Sequence, residues 1–241
     1  MDMLPKCYIR SSSVKGQFVG KNLAGIITEV DLKNHPDFAF ILLAIQDEQL
    51  LGYAGFIDNF RSSLVEVEPS LLELKMLNVD FPYFQRGVAT ALLDYSHALS
   101  QERGRRLILR PERPFGGYVL KGGSIEPYPL ETKELHAMYM RHEFRQFTPL
   151  EVDDLARKLD EHYLVCNLWG TGINPETAQM TDIKRYSYDP KEVAERLFHI
   201  SFEDKLHIWA EVLIRQYGNA SALDSNRKHH REKVEAYLVA E

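Results

Sequence analysis

The stretch "FPYFQRGVATALLDYSHAL", residues 81 to 99, decides how the rest of the chain is read. Upstream, "LLELKMLNV" (Leu71 to Val79) has the composition of a strand, apolar residues broken by Glu73 and Lys75. Downstream, Val88, Leu92, Tyr95 and Leu99 recur at helical spacing, and Gly104 stands where a helix would stop. Gly87 therefore lies where a strand hands over to a helix. A glycine there lets the backbone bend and lets another group approach its amides with no side chain in the way. A strand end, a tight turn and a helix N-terminus aim several unpaired N–H groups in one direction, backed by the positive end of the helix dipole. That is an anion site. A plain tight turn is the alternative. The chain has no P-loop lysine and no triple-glycine fingerprint, so a nucleoside triphosphate or a dinucleotide is not expected.

The 241 residues, 44% of them hydrophobic, suffice for one large domain, or for a medium domain with an appendage. A formal charge of −6 and a pI near 5.9 leave no overall basic footprint, which speaks against nucleic acid as an obligatory partner. Cys7 and Cys166 have no metal or redox spacing, and two cysteines in a chain of this length fit a reducing compartment. The N-terminus lacks a charged start followed by an apolar run, and no stretch reaches the roughly 18 apolar residues that span a bilayer. A cytoplasmic protein with no membrane partner is the expectation.

Around the opening stretch, Lys6 to Ser12 reads as a first strand, and Phe18 to Leu32 has no decisive period and is open to a helix. Phe38 to Asp58 reads as an antiparallel hairpin turning at "QDEQ". Arg105 to Pro111 is a short strand ended by proline. Pro111 to Thr132 holds four glycines and four prolines and reads as an insertion, in which "GGYVLKGG" is open to a small hairpin. Glu131 to Phe144 returns to helical spacing, and a strand follows at Phe144 to Phe147. "EVDDLARKLDEH" is helical by pattern, "YLVCNLWG" (Tyr163 to Gly170) reads as a last strand, and "GTGINP" reads as a linker. Everything beyond, through "PKEVAERLF", "FEDKLHIWAEVLIRQY" and "REKVEAYLVA", reads as helix. The boundary falls near 172, giving a domain over residues 1–172 and a helical extension over 173–241. In that extension Val193, Leu197 and Ile200, then Leu206, Trp209, Leu213 and Tyr217, form apolar stripes that must be covered. The main domain, a second subunit in a homodimer, or a separate partner are the candidates.

The run "LNVDFPYFQRGVATALL" resembles the acetyl-CoA-binding segment of the GNAT superfamily of N-acetyltransferases, Q/R-x-x-G-x-G/A after a strand. Gly87 and Ala89 fill the small-residue positions, while Phe84 stands at the first position, with Gln85 and Arg86 after it. "AMYMRHEF" (Ala137 to Phe144) resembles the family's later signature, with Glu143 in place of its glycine. The resemblance covers roughly residues 38 to 147, with both motifs in family order. It implies an α+β fold, a mixed, mostly antiparallel sheet of six or seven strands flanked by helices and splayed beside Val79, with acetyl-CoA in the split. It also implies cofactor contacts from Leu77, Asn78 and Val79 and from Gln85, Arg86, Gly87, Val88, Ala89 and Thr90. The pyrophosphate is held there by backbone amides, which any residue supplies.

N-acetyl transfer needs an amine that has lost a proton, and a lysine-like amine has a pKa of about 10.4, so a base is wanted. By the two-residue period Glu73 shares a face with Leu77 and Val79, so its carboxylate is expected to point into the cleft. It also matches the glutamate base of histone-type relatives, fourteen residues before the motif glycine. A salt-bridged strand residue beside Lys75 is the alternative. Tyr139 matches the family tyrosine whose hydroxyl reaches the CoA sulfur. A core aromatic is its alternative. The Val79 N–H would polarise the acetyl carbonyl. Arg103, Arg105, Arg106, Arg110 and Arg113 form either a solvated face or, if they converge, a cradle for the 3′-phosphate of CoA or for an anionic substrate. No histidine or carboxylate spacing suits a metal, the adjoining His229 and His230 included. The expected function is transfer of the acetyl group of acetyl-CoA to a primary amine, in a small molecule or a protein, by direct attack in a ternary complex. The acidic balance disfavours aminoacyl-tRNA as acceptor. The alternative from another class is an inactive GNAT-fold binding module making protein contacts through its helical extension.

Overall fold

The computed structural model describes residues 9–33, 35, 38–58, 68–112, 118–121, 124–127, 130–170, 173–174, 179–180 and 200–241. Two long strands, β1 (Ile9–Gly20) and β2 (Leu23–Leu32), open the chain and pair as an antiparallel hairpin. The segment left open to a helix is thus strand. Its run Ile26, Ile27, Thr28 is β-branched, which favours extended backbone. The expected second hairpin is β3 (Phe40–Gln46) and β4 (Gln49–Asp58). Its two-residue turn, Asp47 and Glu48, has positive φ at both positions, 46° and 65°.

β5 (Leu71–Val79) pairs antiparallel with β4. After a 3₁₀ turn (Phe81–Tyr83) comes α1 (Val88–Glu102), then β6 (Arg106–Leu109), which lies parallel to β5. The inserted segment contains a small hairpin of β7 (Tyr118–Lys121) and β8 (Ser124–Pro127). α2 (Thr132–Arg141) and β9 (Phe144–Gln146) follow where the periodicity placed them. One buried cluster joins Leu92, Leu93 and Leu99 of α1 and Leu135 and Tyr139 of α2 to Leu42, Phe56, Leu72 and Leu107 of the sheet, so both helices cover one face.

The chain then departs from the expected plan. α3 (Pro149–Gly170) runs straight through "YLVCNLWG". Val152, Leu155, Ala156, Leu159, Leu164, Val165 and Leu168 are buried at a helical period that continues across the expected strand. The short pair β10 (Ile173–Asn174) and β11 (Gln179–Met180) precedes α4 (Phe202–Tyr217) and α5 (Ser221–Glu235). The last residues return to the sheet as β12 (Leu238–Ala240), between β6 and β9 and antiparallel to both. Among the described residues the sheet therefore has eight strands, in the order β1-β2-β3-β4-β5-β6-β12-β9, with one parallel pair. The arrangement is the expected α+β one, a mixed and mostly antiparallel sheet flanked by helices, with one strand more than expected.

The chain divides into two compact units, one of Met1–Phe60, Pro69–Gln146 and Tyr237–Glu241, the other of Arg61–Glu68 and Phe147–Ala236. The division falls after Gln146 rather than near 172, because α3, expected to end in a strand of the first domain, is the core helix of the second unit. In that unit Trp209, Val212 and Leu213 of α4 pack on Leu164, Val165 and Leu168 of α3. Leu206, Trp209 and Leu213 of the α4 stripe are thus covered within their own unit, whereas Tyr217, at its end, is 70% exposed. α5 is tied to α3 by Asp160, bonded to the His230 ring at 2.7 Å, and by the Arg231–Asp153 pair. Val193 and Leu197, with the helix expected there, lie outside the described residues, as does Cys7.

Candidate functional site

β5 does not keep one pleat along its length. Phe56 and Gly55 of β4 stand opposite Leu74 and Met76, which makes Lys75 an extra residue, a bulge. One extra residue shifts the two-residue alternation by one step. Leu72 and Leu74 before the bulge and Leu77 and Val79 after it all face the core under α1. Glu73 therefore shares the opposite face with Met76 and Asn78. The expectation that Glu73 lies on the face of Leu77 and Val79 is overturned, and Lys75 is the reason.

β6 pairs with β5 only from Leu71 to Leu74. Beyond that point the sheet opens beside Lys75 to Val79. The N–H groups of a strand alternate in direction. The Asp80 N–H donates to the Leu51 carbonyl of β4 at 2.9 Å, so those of Val79 and Leu77 point the other way, into the split. Leu77, Asn78 and Val79 are half-buried.

At the mouth of the split the chain makes its turn. The Arg86 N–H donates to the Tyr83 carbonyl at 3.3 Å, and both Gln85 (φ 59°) and Gly87 (φ 92°) adopt the left-handed conformation. Gly87 is the N-cap of α1, no side chain caps the helix, and its first turn contains no acidic residue. The amides of the first turn, through Val88, Ala89 and Thr90, are thus left for an outside acceptor, with the positive helix end behind them. The turn is held from its other side. The Lys21 N–H donates to the Arg86 carbonyl at 2.9 Å, and a Cβ on Gly20 would lie 2.0 Å from that oxygen. Val88 is buried, while Gln85, Arg86 and Thr90 are exposed.

Tyr139, on the buried side of α2, lies in the core shared with α1, 8% exposed and edge-on to Phe144 with centroids 5.9 Å apart. It shares its face of the sheet with Leu77, Val79 and α1. Glu143, which ends the turn after α2, adopts the left-handed conformation, φ 64°, that glycine takes without steric cost. Left-handed backbone costs a non-glycine residue about 1–2 kcal/mol. Part of this returns as the extra unfolded-state freedom of glycine. Glu143→Gly is therefore expected to raise the melting temperature by about 2 °C, as differential scanning calorimetry would show. An unchanged or lower midpoint would mean that Glu143 makes a compensating contact.

On the opposite face Glu73 is buried, 7% exposed, and accepts a hydrogen bond from the Tyr237 hydroxyl at 2.9 Å. The Lys75 ammonium is 3.9 Å from the same oxygen. Burial first, and then the Glu73 carboxylate, push the Tyr237 phenol well above its ordinary pKa. The sequence reading missed Tyr237 because it took "REKVEAYLVA" as one helix. The apolar, β-prone "YLVA" after a charged helix is the signal that marks it.

Arg103 is paired with Glu29 and lies 3.9 Å over the Phe40 ring, Arg110 is paired with Glu112, and Arg113 lies outside the described residues. Among the described residues no cluster of three His, Cys, Asp or Glu could hold a metal, and no helix is long and apolar enough to cross a membrane.

No family model matches the sequence, and no curated protein matches it. Parts of the chain are similar to solved structures. One is the PaiA N-acetyltransferase from Thermoplasma acidophilum in complex with coenzyme A, 17% identical over 44% of this chain and 52% of that one, with a TM-score of 0.29. Another is an aminoglycoside 6′-N-acetyltransferase complexed with coenzyme A, 16% identical over 45% and 62%, with a TM-score of 0.32. Ard1 from Thermoplasma volcanium is 14% identical over 45% and 57%, with a TM-score of 0.29. The chain thus spans between half and two thirds of the length of these three proteins.

Proposed function

We propose that this protein transfers the acetyl group of acetyl-CoA to a primary amine. The observation that carries the reading is the split between β5 and β6 with the uncapped, left-handed Gly87 turn at its mouth. The pyrophosphate fits the amides of Gly87, Val88, Ala89 and Thr90, and the exposed Gln85 and Arg86 flank it. Bound there, acetyl-CoA supplies a thioester as acyl donor. The Val79 and Leu77 N–H groups donate to the acetyl oxygen as negative charge builds on it. The Tyr139 hydroxyl, on the same face of the sheet, gives a proton to the departing sulfur.

The gap in the sheet lets the two substrates meet from opposite faces, the thioester from the α1 side and the amine from the side of Glu73. Leu77 is four residues beyond Glu73, about 13 Å along a strand at ~3.3 Å per residue. Glu73 accordingly takes the amine proton through intervening water. Glu73→Gln is expected to lower turnover, and an unchanged rate would place base catalysis elsewhere.

The deciding experiment is mass spectrometry of the purified protein for co-purified CoA, with calorimetric titration of acetyl-CoA. Thiol release is then assayed with spermidine, an aminoglycoside and a lysine-containing peptide. Binding together with amine-dependent thiol release is the expected result, and the amine that reacts identifies the acceptor class. Absence of both would leave the chain as a binding module of the same fold.

A further inference from the structure

β12 completes the sheet, and its register brings Tyr237 to the split. Leu238 lies opposite Leu109, and Val239 opposite Ile108, so Tyr237 enters beside the end of β6. Leu238 and Ala240 face the α1 core with Leu107 and Leu109, which turns Tyr237 to the other face, that of Glu73. β6 lies between them. Two strand spacings are about 10 Å, which an extended tyrosine and an extended glutamate bridge together. They meet at 2.9 Å, with Tyr237 3% and Glu73 7% exposed.

We propose that Tyr237 is the positioning residue of the base, holding the Glu73 carboxylate at the acceptor side of the split. The proposal rests on the acetyltransferase reading above. A buried carboxylate is costly without a donor, and a hydrogen bond to a charged acceptor is among the stronger kinds. The phenol stays protonated at working pH, because burial and the carboxylate beside it oppose its ionisation, so it can only donate to Glu73. Tyr237 and Lys75 both engage Oε1. Among the described residues nothing else bonds the carboxylate, so Oε2 is the oxygen left to take a proton. Through Tyr237 the last five residues, reached only after the whole helical unit, become part of the site.

The test is a double-mutant cycle of Tyr237→Phe with Glu73→Gln in the full chain. Thiol release from acetyl-CoA is read with spermidine and with a lysine-containing peptide, and urea midpoints are measured on all four proteins. Tyr237→Phe keeps the ring and is expected to lower kcat about tenfold, with KM for acetyl-CoA unchanged. In the Glu73→Gln background it should lower kcat no further, and the midpoint shifts should be non-additive in the same way. If Tyr237→Phe does not fold, Tyr237→Met, which also lacks the hydroxyl, replaces it in the cycle under the same criteria. A wild-type kcat in the single mutant, or a fall that adds in full to that of Glu73→Gln, would overturn the proposal. Failure of the unmutated protein to bind acetyl-CoA and release thiol overturns the acetyltransferase reading itself. The midpoint cycle then still reports whether Tyr237 and Glu73 are coupled.

Discussion

Gly87→Asp is expected to show no calorimetric binding of acetyl-CoA in a protein that still unfolds cooperatively. Three effects act at this position. The residue has φ 92°, so any side chain there is strained, and a Cβ would stand 3.2 Å from the Cα of Gly20. The strain costs about 1–2 kcal/mol, less for Asp or Asn, which tolerate left-handed backbone better than other side chains. The side chain also blocks the approach to the amides of the first turn of α1. The carboxylate, finally, sits at the N-cap, where it can accept from those same amides and repel the pyrophosphate. Gly87→Asn separates the terms, because it has the same shape and backbone demand without the charge. The expected order of affinity is wild type, then Asn, then Asp, with Asp at least about 100-fold weaker than wild type, the equivalent of about 2.7 kcal/mol. Equal affinity of wild type and a folded Asp variant would remove the Gly87 turn from the site.

Tyr139→Phe is expected to lower kcat about 100-fold while leaving acetyl-CoA affinity nearly unchanged. The hydroxyl matters when charge develops on the departing sulfur, and an interaction made only in the transition state appears in kcat and not in binding. Loss of a general-acid contribution is worth about 10² or more. The ring stays in place, packed edge-on to Phe144 in the core, so the variant should keep its melting temperature to within a few degrees. Single-turnover thiol release separates the chemical step from product release. An unaltered single-turnover rate would reduce Tyr139 to a packing residue. A variant that instead lost acetyl-CoA binding would assign it to holding the cofactor.

Much of the first unit was legible from local pattern. The hairpin of β3 and β4, the strand at Leu71, the Gly87 turn and the spacing of α1 depend on residues close in sequence, and the turn chemistry and periodicity that mark them are local. Gly87 could be placed because a left-handed N-cap between a strand and a helix is a backbone demand that glycine meets at no steric cost. Other elements were misread where the local signal was ambiguous. "YLVCNLWG" is β-prone by composition, and only its apolar spacing in register with Val152 to Leu159 makes it the end of α3. The β-branched run in β2 gave no strict alternation, because that strand is buried for much of its length.

By itself the sequence determined the order of the main elements from β3 through β6 and on to α2 and β9, the glycine turn between strand and helix at Gly87, and the identity of the chemical groups at Glu73 and Tyr139. Tertiary structure alone decided which of those groups face one another. The bulge at Lys75 exists only as a mismatch with β4, two residues against one, and no pattern within β5 reports it. That mismatch moved Glu73 to the face away from Leu77 and Val79. The return of the chain as β12 is likewise a long-range event. Tyr237 meets Glu73 across 164 residues of sequence, through a register between three strands that no local preference encodes. Side-chain chemistry is a property of each residue, whereas facing and pairing are properties of the sheet, and a strand acquires them only when its partners arrive.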